Sequence, residues 1–85
     1  MAYFVYLLVS KTKYKNISYV GYTNNLNKRL NLHNLGKGAK FTRGRKWKLI
    51  YFKKYQSKKK AMIEEYKLKK NYKLRNTIKK QYFKK

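Results

Sequence analysis

The chain has 85 residues, with 25 Lys and Arg against 2 Asp and Glu, and a formal net charge of +23. That length allows one domain with a small core, and the absence of cysteine excludes both disulfides and thiolate zinc sites. A charge far beyond the roughly 2–8 that solubility needs calls for a polyanionic partner, because a compact domain carrying it repels itself. Nucleic acid is the expected partner and an anionic membrane surface the runner-up. No run is long enough to span a bilayer, and residues 1–10 lack the basic start of a signal peptide. The reading is therefore a cytoplasmic protein, associated with the nucleoid if prokaryotic, that acts on DNA and not on a membrane.

Residues 2–9 are aromatic or β-branched almost throughout, the pattern of a strand buried on both faces and central in its sheet. Tyr6 is a polar handle inside it. A polar connector leads to a second strand over residues 17–22, at a separation that suits an antiparallel hairpin with Tyr6 and Tyr19 near one end. Gly21 marks either a close approach that a side chain would obstruct or a positive φ. A helix over residues 24–34 follows, capped by Thr23 or Asn24, with Leu26 and Leu30 on its inner stripe. Arg29 and His33 stand four apart and share a face. Phenols, a guanidinium and an imidazole thereby converge, a set that suits phosphate chemistry.

Residues 35–47 form the one extended irregular stretch, with Gly36 expected to close the helix. Its glycines allow backbone N–H groups to approach phosphate and its cations neutralise charge. Its spacing is not that of a Walker A loop. Gly21, Lys37, Lys40, Thr42, Arg43 and Arg45 are the candidate nucleic-acid contacts. A third strand spans residues 48–52, and Ser57 caps a long helix over residues 58–72. Glu64 and Glu65 are the only carboxylates. Glu64 has Lys60 and Lys67 at helical spacing and reads as a surface salt bridge. Glu65 has Ala61, Met62 and Leu68 around it, so its charge falls on the apolar side. Burying it unpaired is costly, and a metal or a cation such as Arg29 must compensate. Residues 73–85 read as a basic helix or tail of the same domain as residues 1–72, with Leu74, Ile78 and Tyr82 four apart.

In this order, Phe4-Val5-Tyr6-Leu7-Leu8, Tyr19-Val20-Gly21, Arg29 with His33, and Ala61 followed by Glu65 resemble the GIY-YIG nuclease family over residues 3–72. Phe-Val-Tyr stands where the first signature has Gly-Ile-Tyr. The stretch Gly36-Lys37-Gly38-Ala39-Lys40-Phe41-Thr42 resembles the small stand-alone members. The resemblance implies an α+β fold, a three-stranded antiparallel sheet flanked by helices. It also implies cleavage of a DNA phosphodiester with one Mg²⁺ or Mn²⁺. By that resemblance Glu65 binds the metal, Tyr6 and Tyr19 are the catalytic tyrosines, Arg29 binds phosphate and His33 is the active-site histidine.

Elementary chemistry agrees with one metal. Two-metal clamps need bridging oxygens from the protein, whereas a single Mg²⁺ keeps several waters and needs one or two carboxylates plus the phosphate. Tyr6, Tyr19 and His33 all stay open as the general base. An ordinary tyrosine, with a pKa of about 10, is a poor base, and the dense positive field is expected to lower that value. Two further functions fit the same charge: a nucleic-acid-binding module without catalysis, and an adaptor to a larger nuclease. Double-stranded or branched DNA is the expected target, with a homodimer or an accessory repair protein supplying any targeting that this domain lacks.

Overall fold

A computed structural model describes residues 2–84. Its elements run β1 (Tyr3–Lys11), β2 (Asn16–Thr23), α1 (Leu26–Asn34), a 3₁₀ turn (Lys40–Thr42), β3 (Lys48–Tyr55), α2 (Lys58–Lys70) and α3 (Tyr72–Phe83). The three strands form one antiparallel sheet in the order β2-β1-β3. The apolar first strand is central, as its composition demands, and Val5 to Ser10 are all buried.

Strand alternation divides β1 between two cores. Val5 and Leu7 pack with Val20, Ala61, Leu68 and Ile78 beneath α2 and α3. Tyr6 and Leu8 face the other way and pack with Trp47, Tyr19, Leu26 and Leu30 beneath α1 and the loop that follows it. Both faces of the sheet are thus covered, which is why the first strand shows no polar alternation. β3 runs three residues beyond the expected end, because Lys53 and Lys54 pair with Val5 and Phe4. A register shift between Leu7 and Leu8 skips Ile50, the mark of a bulge.

Two helix boundaries correct the sequence reading. The N-cap of α1 is Asn25, whose side chain accepts from the Lys28 N–H at 3.1 Å. Thr23 instead turns the chain, its hydroxyl accepting from the Asn25 N–H at 3.1 Å. The continuous helix expected over residues 58–72 ends at Lys70, and residues 72–83 form a separate helix. Asn71 leaves the helical region at φ −93° and ψ 79°, and its side chain caps α3 by accepting from Leu74 N–H at 3.0 Å. A straight helix over residues 58–83 would run roughly 39 Å, as long as the whole molecule at 38 Å. The break folds α3 back so that Ile78 reaches the core. Ser57 caps α2 as expected, accepting from Lys60 N–H at 3.1 Å.

Gly36 ends α1 at φ +77°. Lys37 N–H donates to Leu32 C=O and Gly36 N–H to His33 C=O, the paired bonds of a Schellman closure. Among the described residues no helix is long and apolar enough to cross a membrane.

Candidate active site

A cleft of about 410 Å³ opens where β1 begins and β2 ends, lined by Tyr3, Tyr6, Tyr19, Gly21, Tyr22, Thr23, Asn24, Arg29, Lys58 and Glu65. The sheet supplies the tyrosines, α1 supplies Arg29, and α2 supplies Glu65 from the opposite layer. Four of the five candidate catalytic side chains therefore meet in one cleft. The Tyr6 and Tyr19 rings stand on the same face of the sheet, 6.5 Å apart, although their register is diagonal, with Tyr6 opposite Gly21 and Tyr19 opposite Leu8.

Gly21 lies within β2 and not at its end, with ordinary φ. Its role is the close approach. A Cβ there would collide with the Tyr6 hydroxyl, and its distance to Tyr6 Cζ would be 2.6 Å. The missing side chain lets the phenol lie flat across the neighbouring strand with its oxygen at the cleft.

His33 is the fifth candidate, and it stands one layer back. It is 1% exposed and does not line the cleft. Its Nε2 lies 2.9 Å from the Tyr6 hydroxyl and its Nδ1 2.9 Å from Thr42 Oγ1. The direction of these bonds follows from Thr42. The Thr42 hydroxyl donates to Ala39 C=O at 2.9 Å and accepts from Ala39 N–H at 3.2 Å. One lone pair remains for His33, so His33 Nδ1–H donates to it. Nε2 is left as the acceptor for Tyr6 O–H. Burial, and then the nearby Arg29 charge, lower the His33 pKa below its ordinary value, so the ring is neutral at pH 7.

The expectation that positive charge favours the Tyr6 phenolate is overturned. The Tyr6 pKa is strongly raised, first by burial and then by Tyr19, while Arg29 only partly opposes this. Desolvation outweighs the field at a phenol that is 3% exposed. Tyr6 is therefore a neutral hydroxyl whose proton already points at an imidazole lone pair.

Thr42 also needs correcting. Expected to touch nucleic acid, it is fully buried, and its hydroxyl is occupied by His33 and Ala39. Lys37, Lys40 and Arg43 are exposed and Arg45 is half-buried, on the loop beside the cleft and outside its lining. Gly38, expected with the other loop glycines to let the backbone approach phosphate, instead holds that loop together with Asn34 and Trp47, to which the sequence assigned no part. A Cβ at Gly38 would collide with the His33 ring. Trp47 Nε1–H donates to Thr42 C=O at 2.9 Å. Trp47 N–H donates to Asn34 Oδ1 at 2.6 Å, and Asn34 Nδ2–H donates back to Trp47 C=O at 3.2 Å. The single tryptophan was the available signal, since an aromatic with one N–H is rarely left unanchored. Nothing in the sequence pointed to Lys58.

The two carboxylates differ as expected in partners, though less in exposure. Glu64 pairs with Lys60 at 3.4 Å and Lys67 at 3.3 Å, and its side chain is 22% exposed against 17% for Glu65. Its partial burial raises the pKa, but Lys67 and Lys60 outweigh that and hold it below the ordinary carboxylate value. Glu65 has one long contact, 3.7 Å to Lys69, and among the described residues is the only carboxylate lining the cleft. No group of three His, Cys, Asp or Glu gathers anywhere among the described residues. A metal here would rest on Glu65, water and the substrate. A hard cation such as Mg²⁺ accepts that donor set.

The buried neutral imidazole sets a pH dependence of stability. Its folded pKa lies below the unfolded value of about 6.5, so its contribution is complete above that pH. It is lost as pH falls towards the folded pKa, because the unfolded chain then binds the proton more readily. The melting temperature is expected to fall between pH 7 and 5, above the range where Glu64 titrates. His33→Gln should flatten that slope, as differential scanning fluorimetry across the range would show. An unchanged slope in the variant would assign the titration elsewhere.

The fold matches what comparison with known proteins finds. The family model described as GIY-YIG catalytic domain matches residues 2–79. UPF0213 protein OB0043 of Oceanobacillus iheyensis is 56% identical over 60% of this chain and 60% of its own length. UPF0213 protein CPE1444 of Clostridium perfringens is 47% identical over 76% of this chain and 70% of its own. The solution structure of UPF0213 protein BH0048 from Bacillus halodurans superposes with a TM-score of 0.53 at 34% identity, covering 96% of this chain and 87% of that one.

Proposed function

The chain belongs to the GIY-YIG family of nuclease domains, and on that premise we propose that it is a DNA endonuclease that hydrolyses phosphodiester bonds with a single divalent cation, in DNA repair or processing in the cytoplasm. The observation that carries this reading is the convergence of Tyr6, Tyr19, Arg29 and Glu65 on one cleft in a chain of charge +23. The charge supplies affinity for the polyanion, and the cleft supplies chemistry that binding alone does not need.

Mg²⁺ or Mn²⁺ on Glu65 would supply a Lewis acid for the phosphoryl and leaving oxygens. The chain's own residues do the rest. Arg29 binds the scissile phosphate and neutralises charge as it builds on the equatorial oxygens. Tyr6 passes its proton to His33 Nε2 along the existing 2.9 Å bond and takes one from the attacking water. The imidazolium that forms keeps its Nδ1–H on Thr42. Neither the phenol nor the imidazole serves alone: the phenol is too weak a base when neutral, and the imidazole does not reach the cleft. Together they form one general base. Tyr19 lines the cleft beside them and positions the phosphate or the water through its hydroxyl.

Groups that act chiefly in the transition state should affect turnover more than affinity. Tyr19→Phe and Arg29→Ala are each expected to lower single-turnover cleavage by at least about 10²-fold, the scale of a lost electrostatic or acid–base contribution. DNA affinity should fall by less than about tenfold. Affinity lost in proportion to rate would instead make this surface a binding module.

A further inference from the structure

The loop between α1 and β3 is tied down at Gly38, Thr42 and Trp47. Thr42 is fully buried against His33, Gly38 lies on the His33 ring, and Trp47 is clasped by Asn34. From this fixed frame Phe41 projects with 53% of its surface exposed. Its ring stacks on Tyr19, with centroids 6.2 Å apart and planes 21° apart, and Tyr19 in turn lines the cleft. The Arg45 guanidinium lies 6.0 Å from the Phe41 centroid. Lys40 and Arg43 flank the ring in the chain and are exposed.

Phe41 also touches Trp47, with ring centroids 6.2 Å apart, and the half of its surface left in water adds nothing to the core. Phe41 and Tyr19 extend one stacked pair outward from the cleft, with the planar Arg45 guanidinium over the Phe41 ring. An unpaired nucleobase fits such a surface: its π-face stacks on an aromatic ring, its phosphates meet the flanking cations, and stacking tolerates any base. A base inside a duplex has both faces covered already and cannot use it.

We propose that Phe41, with Arg45, is a stacking site for an unpaired base of the DNA strand whose phosphate lies in the cleft, so that single-stranded or frayed DNA is preferred over fully paired duplex. This deepens the nuclease reading and rests on it for the position of the phosphate. The occupant is a nucleobase and not a protein side chain, because the flanking charge is uniformly positive.

The test measures binding and not cleavage, so it separates this site from the activity. The Glu65→Gln protein, in the presence and absence of Phe41→Ala, is titrated by fluorescence anisotropy with a single-stranded oligonucleotide, its blunt duplex, and the same single strand carrying abasic sites. Phe41→Ala is expected to weaken single-strand binding by on the order of 5- to 150-fold, the range for one lost base–aromatic stack, and duplex binding by less than about twofold. Phe41→Trp should restore single-strand affinity, and the abasic strand should be insensitive to Phe41→Ala. Equal losses on single strand and duplex, no loss on either, or a full loss on the abasic strand would each overturn the proposal. A wild-type protein that cleaves nothing would remove the nuclease reading while these affinities still decided the stacking site.

Discussion

Glu65→Gln should reduce single-turnover cleavage by at least about 10³-fold, while Glu64→Gln keeps most of the wild-type rate. The two residues are adjacent on α2 and nearly equal in exposure, so burial does not distinguish them. Their directions do. Glu64 is held between two exposed lysines, Lys60 and Lys67, and its loss removes surface ion pairs of small value. Glu65 is the single carboxylate at a cleft that otherwise offers phenols, a hydroxyl, an amide and cations. The amide of Gln keeps the shape and loses the charge, and with it the one anionic oxygen that can hold a divalent cation. Both variants should fold, which circular dichroism checks. Comparable losses in the two, measured at saturating Mg²⁺, would place the metal at neither carboxylate specifically.

Tyr6→Phe carries the second large effect, about 10³-fold, within the 10²–10⁴ range of general acid–base catalysis. The phenol connects the cleft to an imidazole that cannot reach it. Without the hydroxyl, His33 keeps its neutral charge and its bond to Thr42 but has no proton path to the cleft. The variant also leaves His33 Nε2 buried without a donor, at a stability cost of about 1–3 kcal/mol. The melting temperature should therefore drop modestly while the protein stays folded. A second signature separates lost chemistry from lost stability. Wild-type cleavage should decline as pH falls and His33 gains its own proton, below about 6.5, because a charged imidazole cannot accept one from Tyr6. Residual cleavage by Tyr6→Phe should lose that dependence. Retention of the wild-type pH profile at a reduced rate would leave His33 acting without Tyr6.

Much of this arrangement was legible in the chain. The unbroken apolar run placed residues 2–9 at the centre of the sheet, and the four-residue spacing of Arg29 and His33 put them on one helix face. Helical neighbours separated Glu65 from Glu64. Each of these is a local pattern, and local patterns survive folding. The misses are tertiary. The end of α2 falls two residues before the expected residue 72, and only the fold shows Asn71 turning out of the helix to cap α3. Thr42 reads as a hydroxyl among cations, and only the fold brings it beneath His33. The direction of the Tyr6 pKa is set by desolvation against a field, and composition reports the field alone. Gly21 left two readings open in the sequence, and the answer lay with its cross-strand neighbour Tyr6.

The Tyr6, Tyr19, Arg29 and Glu65 cleft is proposed as a phosphodiester-cleaving site. Single-turnover incubation of the wild-type protein with end-labelled single-stranded, duplex, flap and branched DNA, with Mg²⁺ or Mn²⁺ and with EDTA, tests it most directly. Cleavage of at least one of these substrates is expected, requiring the divalent cation and disappearing in Glu65→Gln at unchanged DNA affinity. Tight binding without cleavage of any substrate under either metal, or cleavage that persists in Glu65→Gln, would contradict it.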